Sequence, residues 1–190
     1  MLGTPNFGSF APIQALRGTY GIVRKIALVD ASHSAEQLAS RVFGTFPSLY
    51  EMMPAPEKFS TVDLSDPANW PDVAPKPEPK LLKRAGRIQP QLAPSDRSKP
   101  FYMIAGVRQE TVVNLRKGSE EFQYELSFDG DGTVPLSFAE LPNAKMYYAE
   151  ESHGSLPNNG SVSSAVVDIP STGETSGLPT TRPAPTRARR

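Results

Sequence analysis

Apolar and polar residues alternate along the chain in a pattern that predicts both strands and helices. Residues 101–107 form a short, nearly continuous apolar run, which is typical of a strand buried on both faces of a parallel sheet. Three further strands are predicted at residues 111–115, 121–127 and 145–149, and a turn at residues 117–119 joins the first two of them. A sheet is therefore predicted from residue 101 onward.

Helical spacing of apolar residues predicts helices before and after these strands. Ser34 and Gln37 match a capping box, so a helix is predicted over residues 34–46. An earlier helix is predicted over residues 20–29, and a closing helix covers residues 162–169. From residue 121 onward the predicted order is strand, loop, short helix, strand, loop, helix. This order indicates the α/β class, in which functional groups lie on loops at the carboxyl ends of strands.

Prolines mark the segments that we do not expect to pack regularly. About half of the 20 prolines lie between residues 54 and 100, so residues 54–100 are predicted to be an irregular insertion. Residues 171–190 combine small and polar residues with four arginines, and they are predicted to be a disordered basic tail. These arginines are Arg182, Arg187, Arg189 and Arg190. A solvated terminus and a contact with an anionic surface are both open interpretations of this tail.

Composition excludes several classes of function. The formal net charge is zero, so the chain as a whole has no excess positive charge that would attract nucleic acid or an anionic membrane. The absence of cysteine excludes disulfides and thiolate chemistry. No apolar run approaches the roughly 20 residues of a transmembrane helix, and residues 1–5 do not resemble a signal peptide. These features leave the compartment open, with the cytoplasm as the default.

No cofactor or metal site is predicted from the motifs. The sequence has no glycine-rich phosphate loop of the nucleotide-binding types. Its two histidines, His33 and His153, are too far apart to form a metal site by their spacing. His33 precedes the predicted helix 34–46, where a local capping or surface role is expected.

Asp131 and His153 are the candidates for acid–base chemistry. Asp131 lies in the Gly-Asp-Gly-Thr-Val-Pro segment at residues 130–135, and His153 lies in the loop after the next predicted strand. A carboxylate can accept the Nδ1 proton of a histidine, fix its tautomer and stabilise the imidazolium. Asp-Gly is also a common turn dipeptide, and residues 129–140 partly match a calcium loop, although Val134 replaces the glycine required there.

Three segments in this order resemble the lecithin:cholesterol acyltransferase-like lipase family, which includes the phospholipid:diacylglycerol acyltransferases and bacterial relatives. They are Leu-Gly-Thr-Pro at residues 2–5, Gly-Asp-Gly-Thr-Val-Pro at residues 130–135 and Ser-His-Gly-Ser-Leu-Pro at residues 152–157. The resemblance covers about residues 1–170. It implies an α/β-hydrolase fold, with residues 54–100 as a lid over the acyl site.

The resemblance also assigns roles to individual residues. It implies that Asp131 is the acid of a catalytic triad and that His153 is the general base, whereas Asp129 does not match the motif position. The expected rim of the substrate site consists of Gly3, Thr4, Pro5 and Asn6. The implied substrates are a lipid or other ester and an alcohol or water that accepts the acyl group, without nucleic acid.

The serine nucleophile of the family is missing from the chain. In α/β-hydrolases it lies on a Gly-x-Ser-x-Gly turn ahead of the acid and the histidine, and this motif does not occur in the sequence. We therefore expect the C-terminal part of an α/β-hydrolase sheet, with one flank of strand 101–107 unpaired. The alternative interpretation is a truncated, non-catalytic fragment or a remnant that binds a partner.

Overall fold

Helices and strands are mixed in the computed structural model, which describes residues 1–91 and 101–184. The α-helices of these residues are α1 (Ala11–Leu16), α2 (Gly21–Val29), α3 (Ala35–Arg41), α4 (Pro47–Glu51), α5 (Pro79–Ile88), α6 (Leu136–Ala139) and α7 (Gly160–Thr172). The strands are β1 (Phe101–Gly106), β2 (Thr111–Lys117), β3 (Phe122–Ser127) and β4 (Ala144–Ala149). This content agrees with the predicted α/β class in its coarse form.

Chain contacts divide the molecule into two compact units. Unit 1 comprises residues 1–6, 94–113 and 125–190, and unit 2 comprises residues 7–93 and 114–124. Both candidate catalytic residues belong to unit 1. The hairpin of β2 and β3 contributes its base to unit 1 and its tip to unit 2.

Unit 1 is built around the parallel pair of β1 and β4. Their register aligns Ile104 with Tyr147, and both side chains are buried. Helix α7 covers them with the buried side chains of Val162, Ala165 and Ile169. Because the two strands are parallel, their carboxyl ends meet at the same edge, where His153 follows β4 and Gly106, the last residue of β1, lies against Asp131.

Residues 1–3 lie along β1 on the edge that does not face β4. The N–H group of Ile104 donates to the carbonyl of Met1 at 3.0 Å, and the N–H group of Gly3 donates to the carbonyl of Ile104 at 2.9 Å. The N-terminal ammonium of Met1 also donates to the carbonyl of Tyr102 at 2.6 Å. The flank that we expected to be unpaired is therefore partly paired with the start of the chain.

Unit 2 is mainly helical and has aromatic contacts in its interior. The rings of Phe10 and Phe59 meet edge to face with centroids 5.2 Å apart, and Trp70 meets Phe122 in the same way at 5.3 Å. Phe122 lies at the start of β3, so the hairpin tip closes onto the segment around Trp70. This contact places the only tryptophan of the chain in the core of unit 2.

A buried arginine also holds unit 2 together. The Arg17 guanidinium is bidentate to Glu121, with Nη2 at 2.6 Å from Oε1 and Nε at 3.2 Å from Oε2. Its Nη1 atom donates to the carbonyls of Val73, at 2.6 Å, and Pro75. The Arg17 side chain is fully buried, so the end of α1, the proline-rich segment and the hairpin tip share one charged group.

The predicted elements mostly occur where the apolar pattern placed them. Helix α2 lies within the predicted range 20–29, and α3 begins with the expected reciprocal bonds between Ser34 and Gln37. The α-helix ends at Arg41, however, and a 3₁₀ helix at Phe43–Thr45 follows, so the prediction of one helix over residues 34–46 was too long.

The insertion at residues 54–100 contains a helix that was not predicted. Helix α5 starts at Pro79, where proline is favourable because the first helical N–H has no intrahelical acceptor. Leu82 and Ala85 bury one face of it. The prediction that the insertion is irregular throughout was therefore wrong, and residues 92–100 lie outside the described part of the chain.

The start of the predicted disordered tail makes specific contacts. Helix α7 continues to Thr172, the side chain of Leu178 is buried in the core of unit 1, and Arg182 forms ion pairs with Asp129 and Glu140. These contacts oppose disorder as far as residue 184, because a buried leucine supplies apolar area that the composition of the segment does not reveal. Residues 185–190, with the other three arginines, lie outside the described residues.

Among the described helices, none has the length and apolar character needed to cross a bilayer.

Candidate active site

Asp131 lies in the loop between β3 and α6 and is almost fully buried. Its Oδ1 atom accepts two backbone N–H bonds, from Thr133 at 3.0 Å and from Val134 at 2.7 Å. The Asp131 side chain is only 3% exposed. Because the loop N–H groups occupy one carboxylate oxygen, the other oxygen is held in a fixed direction.

That second oxygen faces His153. The distance from Asp131 Oδ2 to His153 Nδ1 is 2.8 Å, and the His153 N–H group donates to the Asp131 carbonyl, also at 2.8 Å. His153 begins a 3₁₀ helix, His153–Asn158, soon after the carboxyl end of β4. One side-chain contact and one main-chain hydrogen bond thus join the two residues, and together they fix the imidazole relative to the carboxylate.

The two partners differ in exposure. The imidazole of His153 is 38% exposed, whereas the carboxylate is buried. With Asp131 ionised, the proton of the neutral ring resides on Nδ1, and Nε2 is the nitrogen that can accept a proton. The arrangement therefore suits a general base oriented by a buried acid.

The hydrogen bond that His153 donates to Asp131 raises the pKa of His153 above its ordinary value of 6.5, in opposition to burial, which lowers it. The negative charge of Asp131 acts in the same direction as the hydrogen bond. A base with a raised pKa is protonated at slightly acidic pH, so proton abstraction by His153 is expected to strengthen as the pH rises through that pKa.

The raised pKa predicts a pH-dependent stability difference between the protein and its His153→Gln variant. Between pH 6.5 and the higher pKa of the native state, the native protein binds more protons at His153 than the unfolded chain does. The stabilising effect of His153 is therefore fully present below pH 6.5 and is lost as the pH rises through the native pKa. Urea unfolding of both proteins over this pH range tests the sign of the stability difference. A difference that grows with pH would contradict the prediction.

Two glycines allow the backbone to approach the pair closely. At Gly106, the end of β1, an added Cβ atom would lie 2.6 Å from the Cβ atom of Asp131. At Gly3 it would lie 2.9 Å from Leu156 Cδ1 and 3.4 Å from His153 Nδ1, and Gly3 has a positive φ of 56°. Larger residues at these positions would displace the imidazole or the acid loop, by which we mean residues 129–140, including the short helix α6.

The structure brings the predicted rim residues to this region of unit 1. Gly3 packs against the imidazole of His153, and the amide of Asn6 donates to the carbonyl of Ala139 at 2.7 Å. Thr4 and Pro5 lie between them and are half-buried. The N-terminal segment thus lines the pair on one side, while contact with a substrate remains a prediction.

Thr111 supports the acid loop and was not identified from the sequence. Its buried hydroxyl accepts the N–H of Gly132 at 2.8 Å and donates to the carbonyl of Gln109 at 2.8 Å. The loop is also joined to the segment after β1 by a bond from the Gln109 N–H to the Gly130 carbonyl at 3.0 Å. Threonine at a strand start carries no sequence signal for this role.

A second His–Asp pair, formed by His33 and Asp30, differs from the candidate site in sequence separation and in burial of the carboxylate. His33 Nδ1 lies 2.9 Å from Asp30 Oδ2, but the partners are only three residues apart, and their side chains are 37% and 30% exposed. This local pair fits the surface role expected for His33. The Asp131–His153 pair instead joins two loops at strand ends and buries its carboxylate.

The described residues contain no cluster of three or more histidines or acids that could hold a metal ion. The carboxylates at residues 129–140 have partners other than a calcium ion. Asp131 accepts backbone N–H bonds and faces His153, and Asp129 pairs with Arg182 at 3.3 Å. These contacts do not favour the calcium-loop interpretation.

Comparison of the chain with protein-family models and with curated proteins finds no match.

Proposed function

We propose that this chain supplies the acid and the base of an α/β-hydrolase of the lecithin:cholesterol acyltransferase-like type. The observation that carries the proposal is the doubly joined Asp131–His153 pair, with a buried carboxylate and a half-exposed imidazole. The three motifs at residues 2–5, 130–135 and 152–157 support the family, because all of them contribute to this one region.

The architecture of unit 1 is compatible with this assignment. Parallel β1 and β4 bring their carboxyl ends to one edge, and ligands of open α/β sheets bind outside that edge. Asp131 follows β3, His153 follows β4, and α7 completes the order expected for the end of such a domain. Residues 1–3 extend the pairing beyond β1, as a neighbouring strand of a larger sheet would.

In the proposed reaction a serine hydroxyl on the Nε2 side of His153 attacks an ester carbonyl. His153 takes the serine proton and returns it to the leaving alcohol, while Asp131 orients the ring and stabilises the imidazolium. A water or alcohol then gives its proton to His153 and attacks the acyl-serine ester, and His153 returns that proton to the serine oxygen as it leaves. The serine and the oxyanion donors would belong to a Gly-x-Ser-x-Gly segment, which this sequence does not contain.

The proposed substrate is a lipid or another ester, and the insertion at residues 54–100 is the proposed lid. Within unit 2 the described part of this insertion borders a cavity of about 180 Å³. Its walls are largely apolar and include Met53, Pro54, Phe59, Val62, Leu64 and Ala85. Such a cavity fits part of an acyl chain better than a charged group.

The alternative is a non-catalytic fragment or a remnant that binds a partner, and the missing Gly-x-Ser-x-Gly motif favours it. The coding sequence immediately upstream of Met1 distinguishes the two. An in-frame Gly-x-Ser-x-Gly motif after a predicted strand would support the hydrolase. A stop codon close to Met1 in the same frame would support the alternative.

The 190-residue chain alone is expected to lack esterase activity. A His–Asp pair gains little without an aligned nucleophile, and the oxyanion donors that stabilise the transition state are not in the sequence. We expect purified chain and its Asp131→Asn variant to hydrolyse a short p-nitrophenyl ester at the same background rate. Saturable turnover that disappears in the variant would reveal a nucleophile within these residues.

A further inference from the structure

The segment that follows α7 returns to the acid loop. Leu178 is buried in the core of unit 1, and the Tyr148 N–H group donates to the carbonyl of Pro179 at 2.9 Å. These contacts fix the backbone of the segment along β4, three to four residues before Arg182. The segment is thus anchored independently of the ion pairs that Arg182 makes.

Arg182 binds both ends of the loop that carries Asp131. Its Nη2 atom lies 3.3 Å from Asp129 Oδ2, and its Nε atom lies 2.7 Å from Glu140 Oε1. Asp129 precedes Asp131 by two residues, and Glu140 is the C-cap of α6 at the far end of the loop. One guanidinium therefore joins the entrance and the exit of residues 129–140.

The Glu140 carboxylate has a further partner on β4. The Tyr148 hydroxyl lies 3.3 Å from Glu140 Oε1, and burial followed by the charge of Glu140 raises the pKa of Tyr148 to about 12. Tyr148 therefore stays protonated and donates to Glu140. Glu140, which Arg182 binds at the end of the acid loop, is thus also connected to β4, the strand that leads to His153.

We propose that Arg182 is a positioning residue for the Asp131–His153 pair, because it clamps both ends of the acid loop and so holds Asp131 Oδ2 toward the imidazole. This inference rests on the proposed function. Arg182 is 38% exposed, and exposed ion pairs contribute little to stability on average. Its expected role is geometric, since a planar fork that bridges two carboxylates restrains their separation.

The titration of His153 distinguishes positioning from a simple charge effect. Of the charged groups in the described residues, Asp131 is the one that shifts the pKa of His153, and Leu156 and Gly3 are its apolar neighbours. Removing the cation of Arg182, or leaving Asp129 and Glu140 unpaired, would raise the pKa of His153 by electrostatics. Loss of the aligned hydrogen bond from His153 to Asp131 would lower the pKa of His153. The two mechanisms therefore predict opposite signs.

The test is an NMR titration of the His153 imidazole in the full chain, with Arg182→Gln as the variant. We expect the pKa of His153 to fall toward 6.5 and to lose at least half of its elevation. The matched control is Arg108→Gln, which removes another exposed arginine of unit 1 that pairs with Glu150 at 2.7 Å and does not bridge the acid loop. That variant is expected to keep the pKa of the unchanged protein.

Hydrogen exchange of the Val134 amide gives a second readout, because this N–H group donates to Asp131 Oδ1. We expect faster exchange in Arg182→Gln and in the double variant Asp129→Asn/Glu140→Gln, which removes the clamp while keeping the arginine. If Arg182→Gln does not fold, exchange of the Val134 amide in the double variant answers the question, because loss of the two carboxylates lowers the pKa of His153 by electrostatics as well as by misalignment. An unchanged or higher pKa of His153 in Arg182→Gln would overturn the inference, and so would unchanged exchange of the Val134 amide in both variants.

Asp131→Asn, measured alongside, separates this inference from the proposed function. A lower pKa of His153 in Asp131→Asn but not in the clamp variants would overturn the role of Arg182 alone. An unchanged pKa in Asp131→Asn would show that the pair does not form in solution and would overturn both.

Discussion

Asp131→Asn is expected to lower ester turnover about 10⁴-fold when these residues are joined to a segment that carries the serine nucleophile. The asparagine Oδ1 atom can still accept the N–H bonds of Thr133 and Val134, so the loop is expected to keep its shape. The oxygen that faces His153 is replaced by an amide that cannot accept the Nδ1 proton or stabilise the imidazolium. The loss therefore reports on catalysis and not on folding, and initial rates on a p-nitrophenyl ester measure it.

His153→Ala is expected to cause a loss of similar size, because the triad acts as a unit. Asp129→Asn is the matched control, since Asp129 lies in the same loop, pairs with Arg182 and does not contact His153. It is expected to reduce turnover far less than Asp131→Asn. Equal losses at the two aspartates, or full activity of His153→Ala, would overturn the assignment of the acid and the base.

Arg17→Ala is expected to destabilise unit 2 by about 2–5 kcal/mol, because a buried acceptor left without its donor costs about 1–3 kcal/mol and the lost side chain leaves a cavity. The substitution removes a fully buried guanidinium and leaves the carbonyls of Val73 and Pro75 without this donor. It also leaves a cavity where the side chain was. Trp70 lies in the core of unit 2, so urea unfolding followed by its fluorescence measures the loss.

Arg41→Ala is the matched control for this prediction. Arg41 is exposed in the last turn of α3 in the same unit, and surface substitutions usually change stability by less than about 0.5 kcal/mol. Arg17→Lys is expected to resemble Arg17→Ala, because an ammonium cannot reproduce the bidentate fork on Glu121. Unfolding midpoints of Arg17→Ala and Arg41→Ala that coincide would contradict a structural role for the buried arginine.

The sequence predicted those parts of the fold that depend on local pattern. The apolar run at β1, the capping box of α3 and the helix around Val162 each depend on residues close together in the chain. Helices α4 and α5 were missed, although each begins at a proline, because proline signals a helix start as well as a break. In such short helices the tertiary contacts, and not the periodicity, decide which signal prevails.

The candidate site was predicted to a similar extent. The Gly-Asp-Gly segment and the later histidine predicted the pair of Asp131 and His153, which the structure brings within hydrogen-bonding distance. Thr111 and Arg182 were not predicted, because a supporting hydroxyl or guanidinium carries no motif of its own. Both residues contact the acid loop from segments distant in the sequence, and only the folded chain brings these segments together.

The pairing of residues 1–3 with β1 has a consequence for synthesis on the ribosome. The partner of Gly3, Ile104, lies about 100 residues further along the chain, which corresponds to a delay of about 5–20 s at ordinary translation rates. During this delay most of unit 2 has emerged, whereas Leu2 and Gly3 have no strand to join. His153 emerges later still, so the pair of Asp131 and His153 forms only after β4 has been made. Nascent chains halted before β1 are therefore expected to expose the Leu-Gly-Thr-Pro segment to chaperones and proteases.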